Sequence, residues 1–245
     1  MNRFTNKTVL VTGGNSGIGL ATAIQYAQEG ARVVITGRDQ ATLEQAKSLI
    51  GANTIALQND QGDVKAAGKL ASTLTELGIK LDAIFLNAGI AKFAPLPDID
   101  EALWDQTFNV NVKGAFFTIQ ALTPLLNRDA AIVLNGSINA HIGMPSSSVY
   151  AASKAALISF AKTLSAELLP LGVRVNVVSP GPVSTPLYGR LGMKPAQLEQ
   201  MAKAIQEQIP LNRFGTSEEL AKTVLFMSSS DSAFIVGTEL IADGG

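Results

Sequence analysis

The chain alternates short apolar runs rich in β-branched residues with longer stretches of helical spacing, and this alternation limits the possible folds most strongly. The strand candidates are Thr8–Thr12, Arg32–Thr36, Thr54–Gln58, Ala83–Asn87, Ala131–Asn135, Arg174–Val178 and Glu239–Ala242. The helix candidates are Ile18–Glu29, Ala41–Ile50, Val64–Leu77, Leu103–Leu126, Val149–Leu169 and Ala196–Gln208. Strands that are apolar throughout and separated by helices indicate a doubly wound parallel sheet covered on both faces. Because no Pro-, Gly- or Ser-rich linker divides the chain, we expect one α/β domain over residues 1–245.

The composition removes several chemistries. The 245 residues include one histidine, His141, and no cysteine, so a zinc site, a disulfide framework and a cysteine nucleophile are not available. Acid–base chemistry must therefore rest mainly on Tyr, Lys, Asp or Glu. The net charge is −1 and no two of the 19 Lys and Arg are adjacent, which argues against nucleic-acid binding. No apolar stretch approaches the length of a membrane span, and residues 1–7 hold no secretory core, so we expect a cytoplasmic protein.

A glycine-rich turn follows the first strand candidate. The segment TGGNSGIG, residues 12–19, leads into an amphipathic helix and contains Gly13, Gly17 and Gly19. Glycines allow a tight strand-to-helix turn and let backbone N–H groups approach a pyrophosphate at the helix N-terminus. The spacing differs from the commoner G-x-G-x-x-G, and such a cluster also occurs in turns without a ligand. Its position in the first βα unit favours a dinucleotide site.

The end of the second strand bears on which dinucleotide binds. An NAD site places Asp or Glu against the ribose hydroxyls roughly 20 residues after the glycines, whereas this chain has Thr36-Gly37-Arg38. A guanidinium would pair with a 2′-phosphate that a carboxylate would repel, so the sequence favours NADPH. The alternative is a solvated Arg38, with Asp39 serving the ribose of NAD. The segment Asn87-Ala88-Gly89 ends the fourth strand, where backbone close to the same ligand is expected.

A tyrosine and a lysine form the candidate catalytic pair. Tyr150 and Lys154 stand four residues apart at the start of a predicted helix, so their side chains share one face. A phenol with its ordinary pKa of about 10 is a poor acid–base catalyst at neutral pH. One cation about 4 Å away, worth roughly 4 kcal/mol, would lower that pKa by up to about 3. We therefore expect Lys154 to tune Tyr150. Ser137 follows the fifth strand and belongs to the same edge of the sheet.

Taken together, these motifs resemble the single-domain subclass of the short-chain dehydrogenase/reductase family. The resemblance rests on TGGNSGIG, NAG, NVKG (Asn111 to Gly114), Ser137, YAASK and Pro180-Gly181, in this order and spacing, and it covers Lys7 to Gly245. It implies a Rossmann fold with a seven-stranded, mostly parallel sheet of order 3-2-1-4-5-6-7 and helices on both faces. It also implies a substrate loop near residues 184–212.

The resemblance implies roles for individual residues. Tyr150 would exchange a proton with the substrate oxygen, and Ser137 would hydrogen-bond that oxygen. Lys154 would hold the nicotinamide ribose, and Asn111 would position a water that relays protons. The residues implied along the rest of the cofactor are Thr12, Gly13, Asn15, Ser16, Gly17, Ile18, Gly19, Asn87, Ala88, Gly89, Pro180, Gly181, Val183 and Thr185.

Two contacts are less closely defined. Adenine would be contacted by Asp60 or Asp63. The spacing to Asn87 favours Asp60, and Gln61 then replaces the aliphatic neighbour usual in the family. Substrate contacts are expected from Ser137, Tyr150, His141, Met144, Leu187 and Tyr188, the last four as walls of an apolar pocket or its border.

The resemblance implies an NADPH-dependent oxidoreductase that acts on CH–OH groups, reducing a ketone or aldehyde and reversible as an alcohol dehydrogenase. The alternatives are a 3-oxoacyl-acyl-carrier-protein reductase, a sugar or polyol dehydrogenase and, outside enzymes, an NADPH-sensing regulator. Scattered Lys and Arg offer no evident carrier-docking patch, and the intact Ser–Tyr–Lys set argues against a sensor. The apolar stripes over Leu103–Leu126 and Val149–Leu169 are wider than one core face needs. In the family these helices form dimer interfaces, which implies a homotetramer. We expect no metal, nucleic-acid or membrane partner.

Overall fold

The computed structural model of the chain describes residues 2–185 and 195–245. Its strands are β1 Thr8–Thr12, β2 Arg32–Gly37, β3 Ile55–Gln58, β4 Leu81–Leu86, β5 Leu126–Asn135, β6 Arg174–Pro180 and β7 Glu239–Ala242. Its α-helices are α1 Gly17–Gln28, α2 Gln40–Ile50, α3 Val64–Glu76, α4 Glu101–Phe108, α5 Gly114–Leu122, α6 Ser148–Leu168, α7 Pro195–Gln208 and α8 Ser217–Ser228. The strands form one parallel sheet in the order β3-β2-β1-β4-β5-β6-β7. This confirms the predicted doubly wound fold.

Each central strand serves two apolar cores at once. Leu10 of β1 lies beside Val34 and Ile84 in the parallel register, and all three are fully buried on one face of the sheet. Their neighbours along the strands, such as Val11 and Ile35, point to the other face, because successive side chains alternate. Helices α3, α5 and α6 cover the first face, and α1, α2 and α8 cover the second. Because helices cover both faces of the sheet, these strands are apolar throughout and do not alternate between apolar and polar residues.

The stretch over Leu103–Leu126, predicted as one helix, is helical without a break as far as Leu125, but it contains a π-helical turn. Helix α4 passes into a π-helical turn over Asn109–Lys113 before α5 begins, and Leu126 already belongs to β5. A Cβ on Gly114 would overlap the backbone carbonyl of Gln61, so the wider turn lies where the backbone approaches a neighbouring loop closely. Such π-turns are frequent at functional sites. The predicted helix is therefore confirmed as far as Leu125, with a π-helical turn that the sequence pattern did not predict.

Two further features bear on the predictions. Within the predicted substrate loop near 184–212, α7 occupies residues 195–208, and residues 186–194 lie outside the described part. Over residues 2–185 and 195–245, no helix combines the length and the apolar character needed to cross a membrane.

Candidate active site

The carboxyl edge of the sheet carries a cleft of about 570 Å³. Parallel strands present all their carboxyl ends to one edge, so the loops that follow β1, β2, β3 and β4 meet there. The predicted site residues that line the cleft are Gly13, Asn15, Ser16, Gly17, Ile18, Arg38, Asp60, Gln61, Asn87, Ala88, Gly89, Tyr150, Lys154 and Thr185. The structure therefore brings the predicted cofactor turn and the predicted catalytic pair into one cavity.

The glycine turn at the cleft packs tightly against neighbouring protein atoms, which leaves no room for side chains at most of its glycines. Gly13 has a φ of +63°, a conformation that favours glycine. A Cβ on Gly19 would overlap the carbonyl oxygen of Gly13 and lie 2.5 Å from Nδ2 of Asn87. That same Nδ2 donates hydrogen bonds to the carbonyl oxygens of Thr12 and Gly13, at 3.1 and 3.2 Å. The turn is thus held by the side chain of Asn87, the residue that directly follows β4.

Thr12 supports the site without lining it. Its Oγ1 accepts hydrogen bonds from the backbone N–H groups of Asn87 (3.1 Å) and Ala88 (3.0 Å). The hydroxyl is buried, and it joins the end of β1 to the loop after β4. Thr12 therefore fixes the spacing between the two segments on either side of the cleft.

The N-termini of α1 and α2 differ in a way that suits an anion at α1. Ser16 caps α1, but its side chain accepts no hydrogen bond from the first turn. Asp39 caps α2 and accepts a hydrogen bond of 2.8 Å from the backbone N–H of Thr42. The first N–H groups of a helix need acceptors, and a phosphate can supply them. The open α1 terminus at the glycine turn is thus suited to a diphosphate.

Arg38 and Asp39 lie together at the predicted ribose position, but their side chains have different roles. The pKa of Asp39 is lowered by hydrogen bonds from the backbone and then the side chain of Thr42, so its carboxylate serves as a helix cap. Arg38 lines the cleft with an exposed side chain, and no acidic group among the described residues forms an ion pair with it. This arrangement suits a guanidinium that meets a ligand phosphate.

The structure separates the two candidate adenine residues. Asp60 is exposed and lines the cleft, and its carboxylate accepts a hydrogen bond of 2.9 Å from the N–H of Gly62. Asp63 instead caps α3 by accepting a hydrogen bond of 2.9 Å from Lys65 N–H. Gln61 lines the cleft and is buried, and its amide nitrogen and oxygen have no partner among the described residues. Of the two carboxylates, only Asp60 lines this cleft.

Ser137 and Tyr150 meet where β5 and α6 come together. Ser137 is buried at the start of a 3₁₀ turn over Ile138–Ala140, and Tyr150 lies in the first turn of α6. Burial raises the pKa of the Tyr150 phenol, and a side-chain hydrogen bond from Ser137 acts in the opposite direction. The phenol is therefore protonated at neutral pH in this structure, whereas the spacing of Tyr150 and Lys154 predicts a lowered pKa for the phenol.

Lys154 is oriented by the strand rather than by the phenol. Its Nζ donates a hydrogen bond of 2.6 Å to the backbone carbonyl of Asn135 and lies 5.7 Å from the centroid of the Tyr150 ring. Burial lowers the pKa of Lys154 to about 8. The ammonium thus shares the cleft with the phenol, and the tuning of Tyr150 by Lys154 stays a prediction.

Asn111 lies behind these groups, in the π-helical turn. Its Nδ2 donates to the carbonyl of Ile90 (2.9 Å) and to Oγ of Ser153 (3.0 Å), and its Oδ1 accepts from the Ile90 N–H (2.8 Å). A Cβ on Gly89 would lie 3.2 Å from this oxygen and 3.6 Å from Lys154 Nζ. Because both amide hydrogens are already used, the clearest role of the side chain is to hold the loop after β4. The water-positioning role stays a prediction.

The other predicted residues are less central. His141 lies outside the cleft lining, with Nε2 at 2.8 and 2.9 Å from the two carboxylate oxygens of Glu239. Met144 is 41% exposed. Pro180 ends β6, Gly181 packs against Asp243, and Val183 is buried beside Gly215. Leu187 and Tyr188 lie outside the described residues.

Two residues of the site were missed by sequence reasoning. Phe93, in the loop after β4, makes an edge contact with the ring of Tyr150 at a centroid distance of 5.5 Å. Asn135 supplies the carbonyl that holds Lys154 and donates a hydrogen bond of 3.0 Å from its side chain to Asn87. A polar residue that ends an apolar strand was a usable signal for Asn135. Nothing local in the sequence marks Phe93.

Comparison with known proteins agrees with this geometry. A family model described as enoyl-(acyl carrier protein) reductase matches residues 13–245. Oxidoreductase asL5 of Sarocladium schorii is 37% identical over 100% of this chain and 97% of its own length. The 3-oxoacyl-acyl-carrier-protein reductase FabG of Thermotoga maritima is 34% identical over 99% of this chain and 98% of its own. A short-chain dehydrogenase from Burkholderia cenocepacia, crystallised in complex with NADP, has a TM-score of 0.88 and 33% identity, covering 99% of this chain and 98% of that one.

The fold, the glycine turn and the relatives define an NAD(P)-dependent oxidoreductase acting on CH–OH groups. The chain belongs to the short-chain dehydrogenase/reductase family.

Proposed function

We propose that this protein is an NADPH-dependent carbonyl reductase that converts a ketone or aldehyde to an alcohol, reversibly. The observation that carries the proposal is the placement of Tyr150 and Lys154 in the same cleft as the glycine turn and Arg38. One part of that cleft therefore offers a proton donor, and another offers a cation at the 2′-phosphate position.

The residues of the cleft fit the cofactor. Gly13 and Gly17 line the cleft with positive φ angles, the α1 N-terminus is open to a diphosphate, and Arg38 has no ion-pair partner among the described residues. Arg38 would hold the 2′-phosphate, and Lys154 would hold the nicotinamide ribose. When bound, the nicotinamide supplies the hydride for reduction.

The chain's own groups manage the proton. The Tyr150 hydroxyl would donate its proton to the carbonyl oxygen of the substrate, and Ser137 would donate a hydrogen bond to the same oxygen. Because burial keeps the pKa of Tyr150 above its ordinary value, the phenol is in the form that reduction requires. Oxidation of an alcohol would require the phenolate, which Lys154 stabilises if its ammonium moves nearer to the phenol oxygen.

The test is to replace Tyr150 by Phe and follow NADPH absorbance with a panel of ketones, aldehydes and sugars. Loss of a general acid lowers kcat by about 10²- to 10⁴-fold, while the Kd for NADPH, measured by fluorescence titration, should stay within about threefold. Tyr26→Phe is the matched control, because Tyr26 is a buried tyrosine between α1 and α8 and bonds to Ser228. Wild-type kcat in Tyr150→Phe would remove Tyr150 from the mechanism. A wild-type protein that binds NADPH and turns over nothing would favour the regulator.

A second candidate is 3-oxoacyl-acyl-carrier-protein reductase, the activity named for the Thermotoga maritima relative. The test compares a 3-oxoacyl thioester on a small thiol with the same acyl group on the carrier protein. A carrier-specific enzyme should show a kcat/KM at least tenfold higher with the carrier. Equal values would favour a reductase of small carbonyl compounds.

We also propose a homotetramer that assembles through α4, α5 and α6. On α4 the ring of Trp104 is 47% exposed and stacks on Phe108 at 4.8 Å, which suits a subunit contact. Light scattering should then give the mass of four chains of 25.6 kDa, whereas the mass of one chain would refute it.

A further inference from the structure

The ring of Phe93 packs against the ring of Tyr150, the proposed proton donor. Phe93 lies in the loop that follows β4, and its ring meets the Tyr150 ring at a centroid distance of 5.5 Å and an interplanar angle of 64°. The side chain is nevertheless 38% exposed. One part of the ring thus contacts the phenol, and the remainder is free to contact a molecule that approaches the phenol oxygen.

A second segment forms the other part of this surface. The N–H of Ala94 donates a hydrogen bond of 2.9 Å to the carbonyl of Ser146, which ties the Phe93 loop to the segment between Ser137 and Tyr150. On that segment Ile142 is 47% exposed and Met144 is 41% exposed. The segment is folded into a turn at this point, because Oγ of Ser147 donates a hydrogen bond of 2.7 Å to the Met144 carbonyl. We call Phe93, Ile142 and Met144 the apolar rim.

The polar groups around the apolar rim are mostly engaged elsewhere. His141 pairs with Glu239 through Nε2, and the side-chain nitrogen of Asn139 lies 3.8 Å from the Met144 sulfur. Lys92, next to Phe93, is exposed to solvent. A polyhydroxylated substrate needs several free hydrogen-bonding groups, whereas grouped exposed apolar side chains are characteristic of surfaces that contact apolar ligands.

From this geometry we propose that Phe93 determines substrate specificity, selecting carbonyl compounds that carry a planar apolar substituent, above all an aryl group, on the carbonyl carbon. The inference rests on the proposed carbonyl reductase. The carbonyl oxygen must reach the hydroxyls of Tyr150 and Ser137, so a substituent on the carbonyl carbon lies against the ring that already contacts Tyr150. An aryl group offers that ring both apolar area and aromatic edge or face contacts.

The test measures kcat/KM with NADPH for acetophenone, 2-butanone and dihydroxyacetone. Wild-type protein should prefer acetophenone. Phe93→Leu, which keeps apolar volume without the ring, and Phe93→Ala should lower kcat/KM for acetophenone by roughly tenfold or more and for 2-butanone by less than about threefold. Phe234→Ala is the control, because Phe234 is a fully exposed phenylalanine away from the cleft. This variant should leave kcat/KM unchanged for both acetophenone and 2-butanone. The Kd for NADPH should be unaffected in all three variants.

The pH dependence of kcat/KM provides a second measurement, which would not change if Phe93 only stabilised the fold. Removing the Phe93 ring admits water to the phenol, which lowers the pKa of Tyr150, so the falling limb of kcat/KM for 2-butanone should move to lower pH in Phe93→Ala. Equal losses for acetophenone and 2-butanone would overturn the specificity role, as would a wild-type preference for dihydroxyacetone. If wild-type protein reduces none of the three, this inference fails, and the proposed function fails with it only if the panel of ketones, aldehydes and sugars is not reduced either. If it reduces them without an aryl preference, only this inference fails.

Discussion

The ammonium of Lys154 donates a hydrogen bond of 2.6 Å to the backbone carbonyl of Asn135, the last residue of β5. This bond fixes α6 against the carboxyl edge of the sheet. The lysine is buried, and no carboxylate among the described residues pairs with it. A buried cation held by a neutral carbonyl is costly to the fold. The site therefore retains a destabilising charge at the position where the proposed chemistry uses one.

This cost predicts a pH-dependent stability. Burial lowers the pKa of Lys154 in the folded protein from 10.5 to about 8. Between these values the unfolded chain binds more protons than the folded one, so stability rises with pH. Relative to Lys154→Met, wild-type protein should gain about 3 kcal/mol in the free energy of unfolding from pH 8 to pH 10.5. Urea denaturation across this range measures the difference. Lys162 is an exposed lysine on the same helix, so the difference in the free energy of unfolding between wild type and Lys162→Met should not change with pH. A difference between wild type and Lys154→Met that does not change with pH would contradict the argument.

Arg38 should control the choice of cofactor. Its guanidinium lines the cleft, while Asp39 is used to cap α2. Charge-assisted hydrogen bonds contribute about 1.5–3 kcal/mol, so Arg38→Gln should weaken NADPH binding by about tenfold to a hundredfold and leave NADH nearly unchanged. Fluorescence titration gives both Kd values. Arg32→Gln, an exposed arginine at the opposite end of β2, is the matched control. An unaltered ratio of the two Kd values in Arg38→Gln would refute the phosphate assignment.

The pair formed by His141 and Glu239 tests whether the single histidine acts chemically. The imidazole is 42% exposed and bonds to a carboxylate on the edge strand β7, which indicates an anchor for the segment after Ser137. We expect His141→Gln and Glu239→Gln to lower kcat by less than about tenfold each. The double variant should lose little more activity than either single variant, because both substitutions remove the same contact. A loss above about a hundredfold in His141→Gln alone would assign the imidazole to proton transfer.

Arg174 should be a large contributor to stability. Its buried guanidinium donates to the carbonyl oxygens of Met227 (3.1 Å), Ser229 (3.0 Å) and Ser232 (3.0 Å), just after α8 and at its end. Arg174→Met removes three charge-assisted hydrogen bonds and leaves these oxygens only their bonds from Ser232 and Ile235, so we expect a loss of about 2–4 kcal/mol in the free energy of unfolding. Urea denaturation should show it, whereas Arg128→Met, at an exposed position in β5, should stay within about 0.5 kcal/mol. Equal effects of the two variants would show that the buried contacts contribute little.

The strands were predictable because their signal is local. The strands over Thr8–Thr12 and Glu239–Ala242 are the same in prediction and structure, and the other strands differ only in where they begin or end. Runs of β-branched residues favour extended backbone at each position, and burial on two faces leaves no polar alternation. The π-helical turn within the predicted helix over Leu103–Leu126 was not predictable in this way, since it accompanies a close approach between Gly114 and Gln61 from another loop.

By itself, the sequence determined which segments are strands and helices, and it predicted which turn would receive a dinucleotide and which residues would act as acid and base. Those properties depend on residue type and short spacing, and the sheet then brings the strand ends to one edge. Only the tertiary structure decided the partners at that edge: Lys154 bonds to Asn135, His141 to Glu239, and Phe93 covers Tyr150. Each of these contacts joins different elements or loops. No short-range periodicity encodes how such segments pack, because that packing depends on the whole set of surrounding side chains.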